Sequence, residues 1–363
     1  MKKNQLLART LVLWIFPFVL ALNTGCGIKI KPDVLFSNNQ EKKNDLPEGE
    51  KRQIVSFACW NAQTFFDAVT VGTEYSDFTN SSKWTTEKYK NRLSKLCEVM
   101  SFLNADVLVL EEIENEAVVQ DIANRLADGA WSKKKGWQYA CFAKEEGSAI
   151  GCAVFSRFEL KRLTVHSLDV RVHKNSQPSE RPVMQLTVCA GEKEFELFVN
   201  HWKSKSGGEE ETEIWRDWQE AVLAHRVKES ITNERSVVMC GDFNRSAEDF
   251  IPLEEDFSTR EKLNLLLRNF GMNGEEYGVK IYSPWFEENG KFSTEIGSYF
   301  YDGCWERIDN FFFAGPVEVC QFLPVAEPPL ADESSIPQGY KVYTDSGCSD
   351  HLPLKCIISI CRF

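Results

Sequence analysis

Positive charge is in short supply in this chain. Lys and Arg total 42 against 54 Asp and Glu, a formal net charge of −12 with a sequence pI near 5.1. A surface of that sign repels polyanions at long range, which excludes tight, sequence-reading DNA binding. It leaves room for a hydrolase that grips a single phosphate through a metal ion and a few local cations. The apolar run Leu11 to Leu22 is shorter than the ~20 residues that a helix needs to cross a bilayer. No internal repeat and no second linker interrupt the remainder, so one domain is expected. Histidine is scarce, with five in 363 residues, and each can be weighed singly. Apolar residues are plentiful: 43% of the chain, including 25 Phe and 10 Trp, excludes disorder for most of it.

Lys2, Lys3 and Arg9 precede the apolar run, and Asn23-Thr24-Gly25-Cys26 follows it. That is the layout of a secretory signal. A Cys behind a small residue resembles a bacterial lipoprotein cleavage site, so residues 1–26 are read as a signal peptide of lipoprotein type. Asn23 stands where such sites usually carry Leu. The protein is expected to be exported to the bacterial cell envelope and tethered to a membrane by its N-terminal lipid or anchor, facing the periplasm or the exterior. Residues 27–52 are polar and charged and read as a flexible linker, leaving 53–363 as the folded domain. Twelve cysteines in an exported chain would suggest disulfides, but Cys59, Cys152, Cys189, Cys240 and Cys356 lie in apolar runs where Cys serves as a small hydrophobe. Few disulfides are expected, with Cys304, Cys320, Cys348 and Cys361 the candidates.

Short apolar runs recur at Ile54–Trp60, Val107–Leu110, Tyr139–Ala143, Ile150–Phe155, Val183–Val188, Phe195–Val199, Val237–Cys240, Ile308–Phe313 and Leu354–Ile360. Their weak alternation fits strands buried on both faces. Glu87–Leu103, Glu116–Leu126 and Glu213–Ile231 carry the three-and-four spacing of amphipathic helices. Many strands with a few interspersed helices predict an α/β fold of two packed sheets flanked by helices.

Polar groups follow directly on several of these runs. Val107–Leu110 ends in Glu111-Glu112, Val237–Cys240 in Gly241-Asp242-Phe243-Asn244, and Phe195–Val199 in Asn200-His201-Trp202-Lys203; Asp309 follows Ile308, and Ser349-Asp350-His351 opens the last strand. Groups at one end of a sheet converge on a common rim, and carboxylates with an amide and two histidines suit a hard cation and a phosphate.

The order and spacing of these pieces resemble the endonuclease/exonuclease/phosphatase family, in particular its bacterial secreted nucleases. The matching segments are Trp60-Asn61, Ala105–Glu112, Gly151–Arg157, Arg181-Pro182, Asn200–Lys205, Gly241–Asn244, Arg307–Asp309 and Ser349–His351, spanning residues 54 to 361. The resemblance implies a four-layer α/β sandwich of two mixed sheets, like deoxyribonuclease I. It also implies Mg²⁺ as the cofactor, with Mn²⁺ or Ca²⁺ as alternatives. Glu112 would ligate the metal with Asn61, and Asp350 would stand as a second carboxylate. Asn61 and Arg181 would bind the substrate phosphate. His201, Asp242, Asn244, Asp309 and His351 would be the catalytic set. The pattern departs from the family twice: Glu111 stands where Gln is usual, and Asn310 where an aromatic residue or His is commoner. His166, His173 and His225 read as structural, His225 facing the core, and Trp202, Trp215 and Trp218 as packing residues.

The leading expectation is a metal-dependent phosphodiesterase, a nuclease that takes DNA or RNA without strong sequence preference and needs no obligate protein partner. A phospholipase C-like (sphingomyelinase) or inositol-phosphate phosphatase activity is the alternative, though no exposed aromatic hairpin for membrane docking stands out. A catalytically silent surface binding protein is the third reading, and a non-enzyme has no need of Glu112, Asp242, Asn244, Asp309 and His351 together.

Overall fold

The computed structural model describes residues 14–15, 52–79, 83–128, 136–168, 177–178, 180–251, 264–267 and 278–360. The proposed signal peptide, apart from Trp14–Ile15, nearly all of the linker, His173 and Cys361 lie outside them.

The first long strand, β1 (Gln53–Phe65), shows how the layers form. Val55, Phe57 and Cys59 enter one apolar core, while Ala58, Trp60 and Ala62 enter a second on the opposite side. Period-two alternation with apolar groups on both faces requires a covering layer on each side. Helix α1 (Thr86–Leu103) and helix α2 (Glu116–Asp128) supply one cover. Tyr89, Leu93, Leu96, Met100 and Leu103 of α1 pack into the second core as their spacing predicts. The Thr85 side chain caps α1 by accepting the Lys88 N–H at 3.3 Å, and Asn104 ends it with a left-handed φ of 48°.

The other strands follow as β2 (Val107–Ile113), β3 (Tyr139–Ala143), β4 (Gly151–Ser156), β5 (Glu159–His166), β6 (Val183–Ala190), β7 (Lys193–His201), β8 (Val237–Asp242), β9 (Asn264–Leu267), β10 (Gly278–Ile281), β11 (Tyr299–Tyr301), β12 (Cys304–Glu306), β13 (Asp309–Ala314), β14 (Val317–Pro324) and β15 (Leu354–Ile360). One sheet runs β3-β4-β2-β1-β15-β14, with Trp14–Ile15 paired antiparallel to the outer edge of β3; the other runs β13-β8-β7-β6-β5. Each contains one parallel pair, β1 with β2 and β7 with β8. The sheets meet face to face, and the Phe57 ring touches Phe195 at 5.7 Å and Phe311 at 6.1 Å across the seam. Helix α3 (Glu209–Thr232) closes the far side of the second sheet through Leu223, Ala224 and Val227. Helix, sheet, sheet, helix is the expected four-layer sandwich.

Some local expectations need correction. His225 is exposed, because the buried positions Leu223, Ala224, Val227 and Ser230 occupy the other side of α3. No disulfide joins two described residues: Cys304 and Cys348 are free thiols, and Cys189 is only half-buried. Strand β5 escapes the apolar pattern because Leu160 is its one buried residue; pairing with β6 holds it as an edge. No described helix is long and apolar enough to cross a membrane.

Candidate active site

Because β1 runs parallel to β2 and β7 parallel to β8, all four deliver their C-terminal ends to one rim. Strands β13 and β15 run antiparallel to their neighbours, so Asp309 and His351, at or just before their starts, arrive at the same place. Asn61 ties the sheets together. Its Nδ2 donates to Glu112 Oε1 at 3.2 Å and to Asp242 Oδ2 at 3.1 Å.

Glu112 reaches the rim through an irregularity. The pairing of β2 slips against both of its neighbours before Ile113, and Glu112 takes φ +61°. Its Oε2 accepts the Thr64 N–H at 2.5 Å. Gln63 and Thr64 are also left-handed, and buried Arg92 of α1 braces them by donating to the carbonyls of Ala62, Gln63 and Thr64. The Arg92 guanidinium lies 3.9 Å from the Tyr340 ring centroid, so a cation–π contact offsets some of its burial.

Asp242 follows Gly241, which must be glycine: at φ +136° a Cβ would meet Asn200 O at 1.8 Å. Asp242 Oδ1 accepts the Asn244 N–H at 2.8 Å, and Asn244 Nδ2 reaches Trp202 O at 3.2 Å. Burial and the neighbouring Asp309 push the Asp242 carboxyl up to about 7. His351 Nδ1 pairs with Asp309 Oδ2 at 2.8 Å. Burial alone would push His351 down, but the Asp309 charge and hydrogen bond outweigh it and hold the imidazole well above its ordinary range. His201 is the opposite case. Burial, then the positive charges of Arg181 and His351, hold it well below its usual value and therefore neutral. Its Nε2 accepts from Arg181 Nη2 at 3.0 Å and lies 3.6 Å from Glu112 Oε1. The Arg181 Nε–H is buried with no acceptor, a donor left over for an anion.

The rim thus gathers Asn61, Glu112, Arg181, His201, Asp242, Asn244, Asp309 and His351. Asp350 stands half-buried beside them, its charge acting on His351 and Tyr299; among the described residues no hydrogen bond ties it to Asn61 or Glu112. Side-chain donor atoms of Asp242, Asp309 and His351 lie within 4.8 Å of one another, a second group able to hold a cation. The donors are mainly hard oxygens, and the crowding that raises Asp242 is what a nearby divalent ion would relieve, so the residues fit a metal.

Sequence reasoning missed the supports. Ser298 accepts the Asp309 N–H at 3.1 Å on its hydroxyl and the Leu352 N–H at 2.7 Å on its carbonyl, locking the two loops that carry the Asp–His pair. The Tyr299 ring lies 4.7 Å from that of His351. Only the aromatic run ahead of Arg307-Ile308-Asp309 hinted at it. At the departing position, the buried Asn310 side chain donates to Arg307 O at 2.9 Å, and its Oδ1 has no partner among the described residues.

Glu111 is wholly buried and touches Cys59 Sγ at 3.1 Å through Oε1, while Oε2 has no partner. Desolvation dominates and raises its carboxyl well above 4.5. A carboxyl so raised favours the folded state fully below its unfolded value and loses that contribution as pH climbs through the folded one. Glu111→Gln is therefore expected to be more stable than wild type at pH 8, with the gap narrowing towards pH 5. Urea midpoints at the two pH values check this, and a destabilised variant at pH 8 would reject it.

The endonuclease/exonuclease/phosphatase family matches residues 56–317. A sequence search of curated proteins found no match. Among solved structures, truncated TDP2 from Caenorhabditis elegans superposes with a TM-score of 0.53 at 15% identity, covering 85% of this chain and 97% of that one. The human Nocturnin catalytic domain with bound sulfate gives 0.51 at 17%, covering 85% and 96%. An endonuclease/exonuclease/phosphatase family protein from Bacteroides thetaiotaomicron gives 0.52 at 13%, covering 85% and 99%. At these identities the likenesses speak for the fold. Proteins of the family hydrolyse phosphoesters and generally use divalent metal ions. From the match over most of its folded part, this chain belongs to the endonuclease/exonuclease/phosphatase family.

Proposed function

We propose that the protein is an exported, Mg²⁺-dependent nuclease that cleaves phosphodiester bonds of DNA or RNA. The observation that carries this is the pairing, on one rim, of a neutral His201 and a charged Asp309–His351 couple around Asn61, Glu112 and Asp242. Glu112 and Asn61 would hold the ion, with Asp350 as the outer carboxylate. When bound, it would neutralise charge on the phosphoryl oxygens. Asp242, lifted to about 7, is suited to take a proton from the attacking water near neutral pH, and Asn244 fixes the loop that carries it. The water oxygen bonds to phosphorus as the ester P–O bond breaks. Protonated His351 gives its proton to the departing ester oxygen, which leaves as an alcohol, while Arg181 directs its guanidinium at the phosphoryl oxygens on which charge builds. The signal layout around Lys2, Leu11–Leu22 and Cys26 supports export and tethering.

A lipid head-group phosphodiesterase is the second reading. Val69 and Val71 are each 67% exposed on the loop leading to Tyr75, whose hydroxyl feels the charges of Glu112 and Arg181. Supercoiled plasmid decides between the two. Nicking is expected with Mg²⁺ and not with chelator, and Glu112→Gln should raise the Mg²⁺ concentration for half-maximal rate by at least the roughly 10- to 100-fold that losing a mere outer-shell partner costs. Nicking in chelator, or an unchanged Mg²⁺ requirement, would reject the metal role of Glu112. Choline-phosphate release from sphingomyelin without nicking would favour the second reading.

A further inference from the structure

An aromatic hairpin, inconspicuous in the sequence, stands at the mouth of the site. Strands β11 and β12 join through Asp302 (φ +47°) and Gly303 (φ +81°), the left-handed pair of a tight two-residue turn. On one face, Phe300 packs edge-on against Trp305 at 5.0 Å. On the other, Tyr299 and Tyr301 project together, as residues two apart in a strand must, with rings 6.2 Å apart and only 9° from parallel. The inner end of this series rests on His351, whose ring lies 4.7 Å from that of Tyr299. The outer member, Tyr301, is 62% exposed.

The inner end of this ladder is tied to the segment that carries His351. Tyr299 bridges to His351 through the backbone, and the Leu352 N–H donates to Ser298 O at 2.7 Å. Parallel rings leading from the residue that faces the scissile phosphate towards solvent are suited to a planar ring attached to that phosphate.

We propose that Tyr299 and Tyr301 form a stacking platform for an unpaired nucleobase next to the cleaved bond, so that single-stranded nucleic acid is the preferred substrate. The inference deepens the nuclease reading and rests on it. Bases within a duplex already stack on their neighbours, whereas unpaired bases are free to stack on aromatic side chains, at about 1–3 kcal/mol each. Neutral aromatic faces also suit a protein whose overall charge repels phosphate chains.

The test uses the full chain with Mg²⁺ and three substrates of one length: a single-stranded oligonucleotide, its duplex, and a strand whose bases are replaced by abasic sugars. Wild type is expected to favour the base-bearing single strand over the abasic strand by about 5- to 150-fold in kcat/KM, the range that 1–3 kcal/mol of stacking gives. Tyr301→Ala should erase most of that preference through a higher KM, and Tyr301→Phe, which keeps the ring, should retain it. A wild-type enzyme indifferent to the bases, one that prefers duplex, or an alanine variant with undiminished preference would overturn the platform while leaving the nuclease reading intact. Failure of wild type to cleave any of the three, with hydrolysis of sphingomyelin vesicles instead, would overturn the nuclease reading and the platform with it.

Discussion

Replacing His351 by alanine is expected to slow metal-dependent phosphodiester cleavage by roughly 10²- to 10⁴-fold, the usual contribution of a positioned proton donor. The residue is buried, its Nδ1 is fixed on Asp309 at 2.8 Å, and its ring is backed by Tyr299. Asp309→Asn separates orientation from charge. An amide oxygen can still accept from Nδ1, but the negative charge that raises His351 is gone. With Asp309 in place, His351 stays protonated across neutral pH, and activity that needs its proton falls only as pH rises through its raised value. In Asp309→Asn that falling limb should move to lower pH. Rates measured from pH 5 to 9 check both statements. A His351→Ala enzyme within a few-fold of wild type, or an unmoved limb in Asp309→Asn, would remove His351 from the chemistry.

Phe57→Ala should be the most costly of the packing changes, at about 3–5 kcal/mol of unfolding free energy. The side chain is fully buried between the sheets, edge-on to Phe195 of β7 and Phe311 of β13. Rigid strands on both sides cannot collapse to fill the space, so the void persists. A loss of that size is a large fraction of the ~5–15 kcal/mol that holds an ordinary domain together. Equilibrium urea unfolding measures it, and a loss below about 1 kcal/mol would show that the sheets close over the gap.

Much of this arrangement is legible in the residues alone. Strands buried on both faces announce themselves as unbroken apolar runs, and the polar groups that end them mark the rim. Tyr139–Ala143 and Leu354–Ile360 have the same limits in sequence and structure for that reason. Strand β14 is hidden because its burial is mostly partial. Helix α3 begins at Glu209, ahead of its apolar spacing, where the acidic run suits the positive end of a helix dipole. Within the site, sequence order identifies which groups meet but not what holds them. The brace from Arg92 to Ala62, Gln63 and Thr64 joins α1 to a strand end some 30 positions away, and no local pattern encodes it. Tyr299 packs its ring against His351 across an even longer separation. Asp350 illustrates the converse: adjacency to His351 in the chain says little about where its carboxylate is directed.

Asn61 and Glu112 belong to one sheet, His201 and Asp242 to the other, and the Asp309–His351 pair takes one member from each side. Neither sheet carries a working half of the centre. A small shear between the layers, one that left every strand hydrogen-bonded, would pull apart Asn61 and Asp242 and part the imidazole from its carboxylate. Catalytic competence is thus a property of how the two slabs are docked rather than of either slab. Substitutions far from the rim that alter inter-sheet registry would be felt at the phosphate before they were felt in the secondary structure.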